Sequence, residues 1–449
     1  MVITGRHRRN NVKSHATDNK SALFCRPRND SLGKLYFIKQ DQGHFYMKII
    51  PENYKGFATV LAFVIAPLSG IAVDLYSPSL PAMARDLHLS VLKMQASVSV
   101  YLICYGLCQL FVGGLLDSFG RYKISLISLF LFSLSSFAIP LFPDINLIYF
   151  FRGVQGVSIG AVLVAKRAYF ADIFKGEKLK HNLSMFTIIW GIGPITAPFI
   201  GGHIQTLLGW KYNFYFLGTT SMIGFIFDSI YGGESLRTPA KFNLRNIIGK
   251  YREMLRTVDF ILAIALVSLS YSVAIIFTLT SPFLIEHTLH SSSVIVGYSL
   301  LITGVGWLCG NLLGKLLLKT DFLKNVFIAN MLQFFLILLM FVSLKYIQNI
   351  YTLIGFTFFI VMMSAFIFNN YFTYCLSRFP NAAGLSGGLV GGGMYILLSG
   401  ITYFLLLFIP VKEFVNLARC YIILVTGITA AVTLFQRDKM KNRIAEETA

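Results

Sequence analysis

The sequence predicts an all-α polytopic membrane protein with twelve transmembrane helices arranged as two six-helix bundles. The chain of 449 residues is 55% hydrophobic, with a mean hydropathy of +0.66, which is more apolar material than soluble cores require. Only 13% of the residues are charged, and they lie in short clusters between long apolar runs. Each run reaches the length of about 20 residues that crosses the hydrocarbon layer of a membrane.

Twelve apolar runs meet this length, and we number them span 1 to span 12 in chain order. A polar stretch from Glu234 to Arg256, with six basic and two acidic residues, separates the sixth run from the seventh. It is predicted to connect two bundles of six helices. The runs lie at 57–78, 95–115, 124–142, 147–168, 183–205, 213–231, 258–283, 294–318, 325–345, 350–371, 383–408 and 414–436.

These runs divide the chain into an N-terminal bundle at 57–231, a linker at 232–257 and a C-terminal bundle at 258–436, with tails at 1–56 and 437–449. The first tail carries eleven basic residues and lacks the apolar stretch of a signal peptide. We expect most of it to be disordered. A mis-assigned start codon, with translation from Met47, would explain this tail, and so would contact between its basic residues and anionic lipid. The sequence does not choose between them.

The distribution of Lys and Arg predicts that both termini are cytoplasmic. Basic residues are retained in the loops on the cytoplasmic side of a membrane. With the N-terminus inside, 32 of the 39 Lys and Arg residues fall on that side and five on the other. The remaining two, Arg152 and Arg419, lie within apolar runs.

Other classes of protein fit the sequence poorly. The net charge of +19 comes without the aromatic-basic module of a nucleic-acid binder, and the six scattered cysteines form neither a disulfide framework nor a zinc motif. No catalytic or metal-binding motif is found, so we expect no enzyme activity, metal or cofactor. The segment from Gly310 to Lys315 fails the phosphate-loop pattern, since three residues separate its glycines and Leu316 replaces the required Ser or Thr.

The turn between spans 2 and 3 carries the most specific motif in the chain. Gly120 permits a tight turn, and Asp117 and Arg121 place opposite charges beside it. Such a cluster can hold two helices together in one conformation and release them in another. The alternative is an ordinary basic turn. We predict a conformational latch, named here the latch motif, formed by Gly113, Asp117, Gly120, Arg121 and Lys123.

The latch motif resembles the loop signature of the major facilitator superfamily, and further motifs extend the resemblance to nearly the whole chain after residue 56. They are similar to motifs of the drug:proton antiporters of the bicyclomycin and chloramphenicol resistance (Bcr/CflA) branch. Departures include Ser118 and Tyr122, where the family often has Arg, and Asn369-Asn370, where a Pro is expected. The similar stretches are Asp74–Pro81, Arg152–Gly156, Pro194–Gly202, Gly209–Lys211, Ser281–Phe283 and Ala383–Gly387.

This resemblance implies the major facilitator fold and proton-coupled efflux of small amphiphilic or drug-like compounds across a bacterial inner membrane. It implies that the partners are a small-molecule substrate, protons and membrane lipid, without nucleic acid. An importer or exchanger of a metabolite on the same fold is the alternative, and a membrane enzyme or receptor is disfavoured. The oligomeric state stays open, with a monomer expected. The antiporter motif of span 5 is carried by Pro194, Ala197, Pro198, Gly201 and Gly202.

Ionisable residues inside apolar spans are costly, and their presence indicates function. Asp74 in span 1 and Arg152 in span 4 each lie about 8 Å below the outer boundary, at 1.5 Å per residue. We predict that Asp74 carries the coupled proton with Arg152 as its partner. The alternatives are a permanent ion pair between them or extension of each side chain to the outer surface. Asp228, near the cytoplasmic end of span 6, is interpreted as an interfacial charge.

The substrate cavity is the least specific prediction, because aromatic and amide side chains at helical positions also serve plain packing. Glycines at a spacing of four in span 11, namely Gly384, Gly388 and Gly392, allow close approach of a neighbouring helix. The side chains predicted to line the cavity are Tyr76, Gln155, Tyr271, Phe277 and Asn370.

Overall fold

The computed structural model of the protein describes residues 37–38, 47–48, 50, 52–236, 238–239, 242–317 and 321–447. Within these ranges, eleven helices are long and apolar enough to cross a membrane. They correspond to spans 1 to 5 and 7 to 12. Their bounds are Lys55–Asp86, Val91–Phe119, Arg121–Leu141, Ile145–Ile173, Gly176–Leu208, Val258–Thr288, Ser293–Leu316, Phe322–Tyr346, Ile350–Arg378, Gly384–Phe408 and Phe414–Met440.

Span 6 is the helix Trp210–Tyr231, which is less apolar than the other eleven. Its 22 residues extend about 33 Å, enough to cross the hydrocarbon layer. Lys211, Asn213 and Asp228 lower its hydropathy. It packs along spans 1 and 3 like the other members of its bundle. The predicted all-α class with twelve spans is confirmed.

Span 1 is interrupted where its sequence removes helical hydrogen bonds. The first segment ends at Ile65, just before Pro67, and the second runs from Leu68 to Asp74. Proline lacks a backbone N–H and disfavours helical backbone in the residue before it. A 3₁₀ turn at Ser77–Ser79 then precedes the last segment, Leu80–Asp86. Asp74 therefore ends a short helix in the middle of the span.

The polar segments contain more helix than the sequence predicted. The last helix runs from Phe414 to Glu447, through most of the segment assigned to a tail at 437–449. The linker contains a helix at Leu244–Met254, named here the linker helix. Most of the basic tail at 1–56 lies outside the described residues, so its predicted disorder and start codon are not tested. Within it, Phe37–Ile38 and Met47–Lys48 pair as antiparallel strands.

The two bundles repeat one packing scheme. Spans 1 and 5, 2 and 4, and 3 and 6 pack together in the first bundle, as spans 7 and 11, 8 and 10, and 9 and 12 do in the second. The connections after spans 1 and 7 match as well, since His88 and His290 both adopt left-handed backbone, with φ of 52° and 49°. Spans 2 and 11, and spans 5 and 8, join the bundles.

Candidate functional site

A cavity lies between the two bundles, at the middle of the molecule. Asp74 is the one carboxylate on its wall, and no Lys or Arg lines it. The centre of a water-sized sphere can occupy about 20 Å³ of it, which suffices for roughly one water molecule. Its lining residues come from spans 1, 2, 5, 7 and 11 and are Ser69, Gly70, Val73, Asp74, Leu102, Tyr105, Trp190, Pro194, Tyr271 and Tyr395.

Aromatic rings form much of the cavity wall. The rings of Tyr105 and Tyr395 meet edge to face with centroids 4.8 Å apart, and Tyr271 meets Tyr395 at 6.0 Å. Trp190 donates its indole N–H to Ser69 Oγ at 2.8 Å, which fixes that ring against span 1. Rings arranged in this way give a broad apolar surface with a few polar edges. The wall is therefore suited to flat, amphiphilic molecules.

The predicted pair of Asp74 and Arg152 is not joined by an ion pair. Arg152 Nη1 instead donates to the Ala72 carbonyl at 3.2 Å and to Gln155 Oε1 at 2.8 Å. Asp74 takes part in none of the ion pairs found among the described residues. The permanent bridge considered from the sequence is thus absent from this conformation, and extension of Arg152 to the outer surface is wrong because this side chain is fully buried.

Aromatic rings hold the guanidinium group of Arg152. Its Cζ atom lies 4.4 Å from the ring centroid of Tyr76 and 4.3 Å from that of Tyr101. A cation between two ring faces is stabilised by their quadrupoles, most strongly away from water. Nε and Nη2 of Arg152 have no hydrogen-bond partner in the structure. Stacking on the two rings therefore holds the guanidinium group of Arg152. Two of its nitrogen atoms, Nε and Nη2, donate no hydrogen bond.

Only one of the five predicted cavity residues lines the cavity, namely Tyr271. Tyr76 and Gln155 are fully buried around Arg152, where Gln155 also donates to Ser136 Oγ at 2.7 Å. Phe277 is buried in the core. Asn370 donates to the carbonyl of Phe366 in its own helix. In this conformation these four side chains lie away from the cavity wall, because sequence periodicity does not reveal which face of a span meets the cavity; their contact with substrate in a wider, open cavity stays a prediction.

The antiporter motif lies where span 5 passes between span 1 and span 8. A Cβ atom on Gly201 would overlap the carbonyl oxygen of Leu75, and one on Gly202 would lie 2.5 Å from that of Ser293. Pro194 packs against Gly70 and lines the cavity. Ala197 is fully buried, and Pro198 meets Gly297 of span 8. Glycine is required at these positions because the backbones touch.

The latch motif joins three helices at one end of the first bundle, the end that the loop charges predict to be cytoplasmic. Arg121 Nη2 binds Asp117 Oδ1 at 2.9 Å, while Nη1 contacts Asp172 of span 4 and donates to the Ala168 carbonyl at 3.0 Å. Gly120 adopts a φ of 95°, which favours glycine. Of the other two members, Lys123 is exposed and Gly113 has open space at its Cβ position.

Glu234 completes the latch motif, a role that no signal in the sequence indicated. Its carboxylate accepts hydrogen bonds at 3.1 Å from the backbone N–H groups of Arg121 and Tyr122, the first two residues of span 3. An anion at this position satisfies free N–H groups and favours the helix dipole. The start of the linker is thereby tied to the turn between spans 2 and 3.

A buried ion pair was missed at the sequence level. Lys166 Nζ of span 4 lies 2.6 Å from Asp228 Oδ2 of span 6, and both side chains are almost inaccessible. The interpretation of Asp228 as an interfacial charge is therefore wrong. Lys166 falls inside the run at 147–168, so the rule that intramembrane charges have partners could have found the pair.

A second ionic cluster joins spans 7, 10 and 12 at the start of span 7 and the ends of spans 10 and 12. Asp259 Oδ2 accepts hydrogen bonds from Tyr374 at 2.6 Å, Arg378 at 3.1 Å and Lys439 at 2.8 Å. Asp259 is buried, so its interactions are little screened by water. The second bundle thus has an ionic cluster of its own that holds three helix ends together.

The bundles contact each other on both sides of the cavity. On the side predicted to be external, Arg85 of span 1 pairs with Glu286 of span 7 at 3.1 Å, and Gln95 donates to the Leu279 carbonyl at 2.8 Å. On the side predicted to be cytoplasmic, Gly106 and Gly392 bring the backbones of spans 2 and 11 together. The cavity is closed in both directions in this conformation.

Comparison with known proteins identifies similar sequences. A family model described as Major Facilitator Superfamily matches residues 62–402. The chain is 38% identical over 150 residues to an uncharacterized MFS-type transporter, YdgK, of Bacillus subtilis, a match covering 33% of this chain and 37% of that protein. It is 27% identical over 158 residues to multidrug resistance protein D of Escherichia coli, covering 35% and 40%.

A bicyclomycin resistance protein homolog of Haemophilus influenzae is 28% identical over 201 residues, covering 43% of this chain and 50% of that protein. The matches to these three relatives span half or less of their own length. Two solved structures share the fold at 15% identity. They are a D-xylose-proton symporter, with a TM-score of 0.64 over 84% of this chain and 97% of that one, and the nucleoside transporter NupG, with 0.66 over 86% and 99%.

Proposed function

Since this chain belongs to the Major Facilitator Superfamily, we propose that it is a secondary transporter that exports small amphiphilic or drug-like compounds in exchange for protons. The resemblance inferred from the motifs is confirmed by that membership. The observation that carries the proposal is the closed cavity between the bundles, where one carboxylate, Asp74, lies among aromatic side chains. Once it widens, such a cavity can bind an amphiphilic molecule and a proton at the same place.

Alternating access follows from the contacts on either side of the cavity. Opening toward the cytoplasm requires spans 2 and 11 to separate, and opening outward requires Arg85 and Glu286 to part. A cavity that holds roughly one water molecule must also widen to admit a drug-sized compound. Substrate binding would then favour the conformations in which one side opens.

Asp74 is proposed to carry the proton because its charge is not cancelled by a fixed partner. Arg152, the basic residue predicted to lie at a similar depth in the membrane, is held by Tyr76 and Tyr101 instead. Asp74 would bind a proton when the cavity opens outward and release it when the cavity opens inward, as substrate binds. The neighbouring aromatic rings exclude water from the site between these steps.

The substrate class and the location rest on different observations. The names of two relatives refer to multidrug resistance and bicyclomycin resistance, which supports drug-like compounds as substrates. The excess of Lys and Arg in alternate loops supports cytoplasmic termini and a cytoplasmic linker. The relatives are bacterial, which supports the inner membrane of a bacterium as the location.

The test is accumulation of ethidium by inverted vesicles that contain the protein, energised by an imposed proton gradient. Asp74→Asn keeps the shape of the side chain but cannot release a proton, so gradient-driven accumulation should fall to the level of empty vesicles. Downhill ethidium flux should persist. Asp144→Asn is the matched control, because Asp144 is an exposed helix cap and Asn caps helices equally well.

Accumulation by the Asp74→Asn protein at the wild-type level would remove Asp74 from the coupling step. Absence of transport by the wild-type protein, for ethidium and for a panel of neutral drug-like compounds, would contradict the proposed export. Gradient-driven movement in the opposite direction would favour the importer alternative.

A further inference from the structure

The linker helix packs against the end of span 2 that the proposed topology places at the cytoplasmic surface of the membrane. Its Tyr251 donates to the Leu110 carbonyl of span 2 at 2.7 Å, and Ile247 lies 2.9 Å from the Cβ position of Gly114. These two residues of span 2 precede its end at Phe119 by about 13 Å and 7 Å along the helix axis. A helix at this level meets headgroups and the adjacent acyl chains.

The apolar face of the linker helix has a buried part and an exposed part. Tyr251 and Met254 are buried against the bundles. Leu244 and Ile248 lie about 20° and 60° from Tyr251 around the helix axis, at about 100° per residue, and are 44% and 51% exposed. Other described residues therefore leave this apolar stripe partly uncovered.

Basic side chains flank the apolar stripe. Arg245 and Arg252 are seven residues apart, so they lie on one side of the helix next to Leu244 and Ile248. Both are exposed. Neither makes an ion pair with another described residue. The helical rotation of about 100° per residue places Glu253, the acidic residue of the helix, away from the side that carries the two arginines.

We propose that the linker helix binds the acidic phospholipids of the inner leaflet through Arg245 and Arg252 and, so anchored, holds the cytoplasmic side of the cavity closed. The inference rests on the cytoplasmic linker described under Proposed function. Arginine forms bidentate bonds with phosphate, and basic residues at a membrane surface are attracted to anionic lipid. The apolar stripe adds burial in the headgroup region.

Tyr251 transmits the anchoring to the bundles. Its hydroxyl bonds span 2, and on the other side it lies 3.2 Å from the Cβ position of Gly388 in span 11. Burial raises the pKa of Tyr251 to about 12, so the phenol remains a hydrogen-bond donor at physiological pH. When the linker helix is bound to the membrane, it keeps the Tyr251 side chain between spans 2 and 11. These two spans must separate there for the cavity to open toward the cytoplasm.

The test uses the full-length protein in nanodiscs of phosphatidylcholine, with or without phosphatidylglycerol. Hydrogen exchange of the amides at 244–254 reports binding of the linker helix. Gln109 of span 2 faces Gly391 of span 11, with its Oε1 atom 2.6 Å from the Cβ position of Gly391. The yield of a disulfide between Gln109→Cys and Gly391→Cys, in a protein without the native cysteines, therefore reports closure. We expect phosphatidylglycerol to slow the exchange by on the order of tenfold, from the attraction of two arginines to anionic lipid, and to raise the disulfide yield.

Both effects should be lost in the Arg245→Gln, Arg252→Gln variant and retained in Lys175→Gln, Lys178→Gln, which removes the same charge from an exposed turn between spans 4 and 5. Tyr251→Phe should retain the lipid-dependent exchange but lose the gain in disulfide yield. Equal exchange in the two lipids, or lipid dependence in the arginine variant, would overturn the proposal. Neither readout needs a transported substrate, so the outcome is independent of the drug-export assay.

Discussion

Arg152 shows how one buried charge can be kept without an opposite charge. An isolated ion costs several kcal/mol to bury, and stacking between two rings recovers about 2 kcal/mol or more per cation–π contact when water is absent. Hydrogen bonds to Ala72 and Gln155 add to this. Arg152 therefore places a fixed positive charge at a predicted depth in the membrane similar to that of Asp74. It does so without neutralising the Asp74 carboxylate.

Lys166 and Asp228, unlike Arg152, are buried charges that compensate each other as an ion pair. Removing one partner of a buried ion pair leaves a charge without compensation, at a cost of about 3–5 kcal/mol. We therefore expect Asp228→Asn to lower the thermal unfolding temperature of the purified protein in detergent.

A second substitution separates charge from packing at this pair. The double variant Asp228→Asn, Lys166→Met removes both charges and should recover most of the lost stability. Asp144→Asn, at an exposed position, should unfold like the wild type. If Asp228→Asn has no effect on unfolding, the ion pair does not stabilise the bundle.

At the scale of the helix, span 5 depends on glycine where backbones touch. Gly201→Ala would push a Cβ atom into the Leu75 backbone, and a rigid carbonyl cannot give way as a side chain end could. We expect this variant to lose about 1–3 kcal/mol of stability and most of its transport, measured by unfolding in detergent and by gradient-driven uptake.

Gly191→Ala is the matched control within the same helix, since its Cβ position has nothing within 4 Å. That substitution should be neutral or slightly stabilising, because alanine favours helix. Equal losses in the two variants would mean that contact with the Leu75 backbone of span 1 is not the reason for glycine at position 201.

The latch motif acts at the same scale, because Arg121 joins spans 2, 3 and 4. Asp117 is 48% exposed, whereas Asp172 is 20% exposed, so water screens the first contact more strongly. Arg121→Ala should therefore lower the maximal transport rate strongly and Asp117→Asn mildly, with the substrate concentration at half-maximal rate unchanged in both.

Concentration series in the vesicle assay measure both quantities for the latch variants. Lys178→Ala is the control, since Lys178 is exposed near the start of span 5 and takes no part in the contacts of Arg121. Weakened substrate affinity at an unchanged maximal rate would contradict a conformational role for the latch motif.

At the scale of the whole molecule, two bundles of the same packing scheme meet around one cavity. Contacts on the side proposed to be external include a partly exposed ion pair, and those on the side proposed to be cytoplasmic involve glycine backbones and the linker helix. Exposed ion pairs contribute little stability, whereas close backbone packing excludes water. The two sides are therefore expected to open at different free-energy costs.

The orientation of the molecule in the membrane is open to direct test. Reporter domains fused within the linker and at the C-terminus should both be active only in the cytoplasm, and one inserted near His287 only outside, since basic loops stay inside. A reporter within the linker that is active outside would contradict both the twelve-span topology and the proposed lipid contact.

The amino-acid sequence by itself determined the class, the number of spans and the family. Hydropathy, loop charge and motifs such as the latch motif are local or periodic signals, because the membrane imposes a span length and an allowed side for charge. These signals are the same whichever helices pack against one another. Gly120 and Gly201 could be recognised for the same reason, since tight turns and close packing demand glycine locally.

Only the tertiary structure decided which side chains share a site. Asp74 and Arg152 match in depth and sign, yet Arg152 turns toward Tyr76 and Tyr101, because depth along a span does not fix rotation about its axis. Glu234 and Lys166 found their partners more than 60 positions away in the chain, at Arg121 and Asp228. Pairing at such separations depends on how helices pack, and that packing is set by the whole surface of each helix.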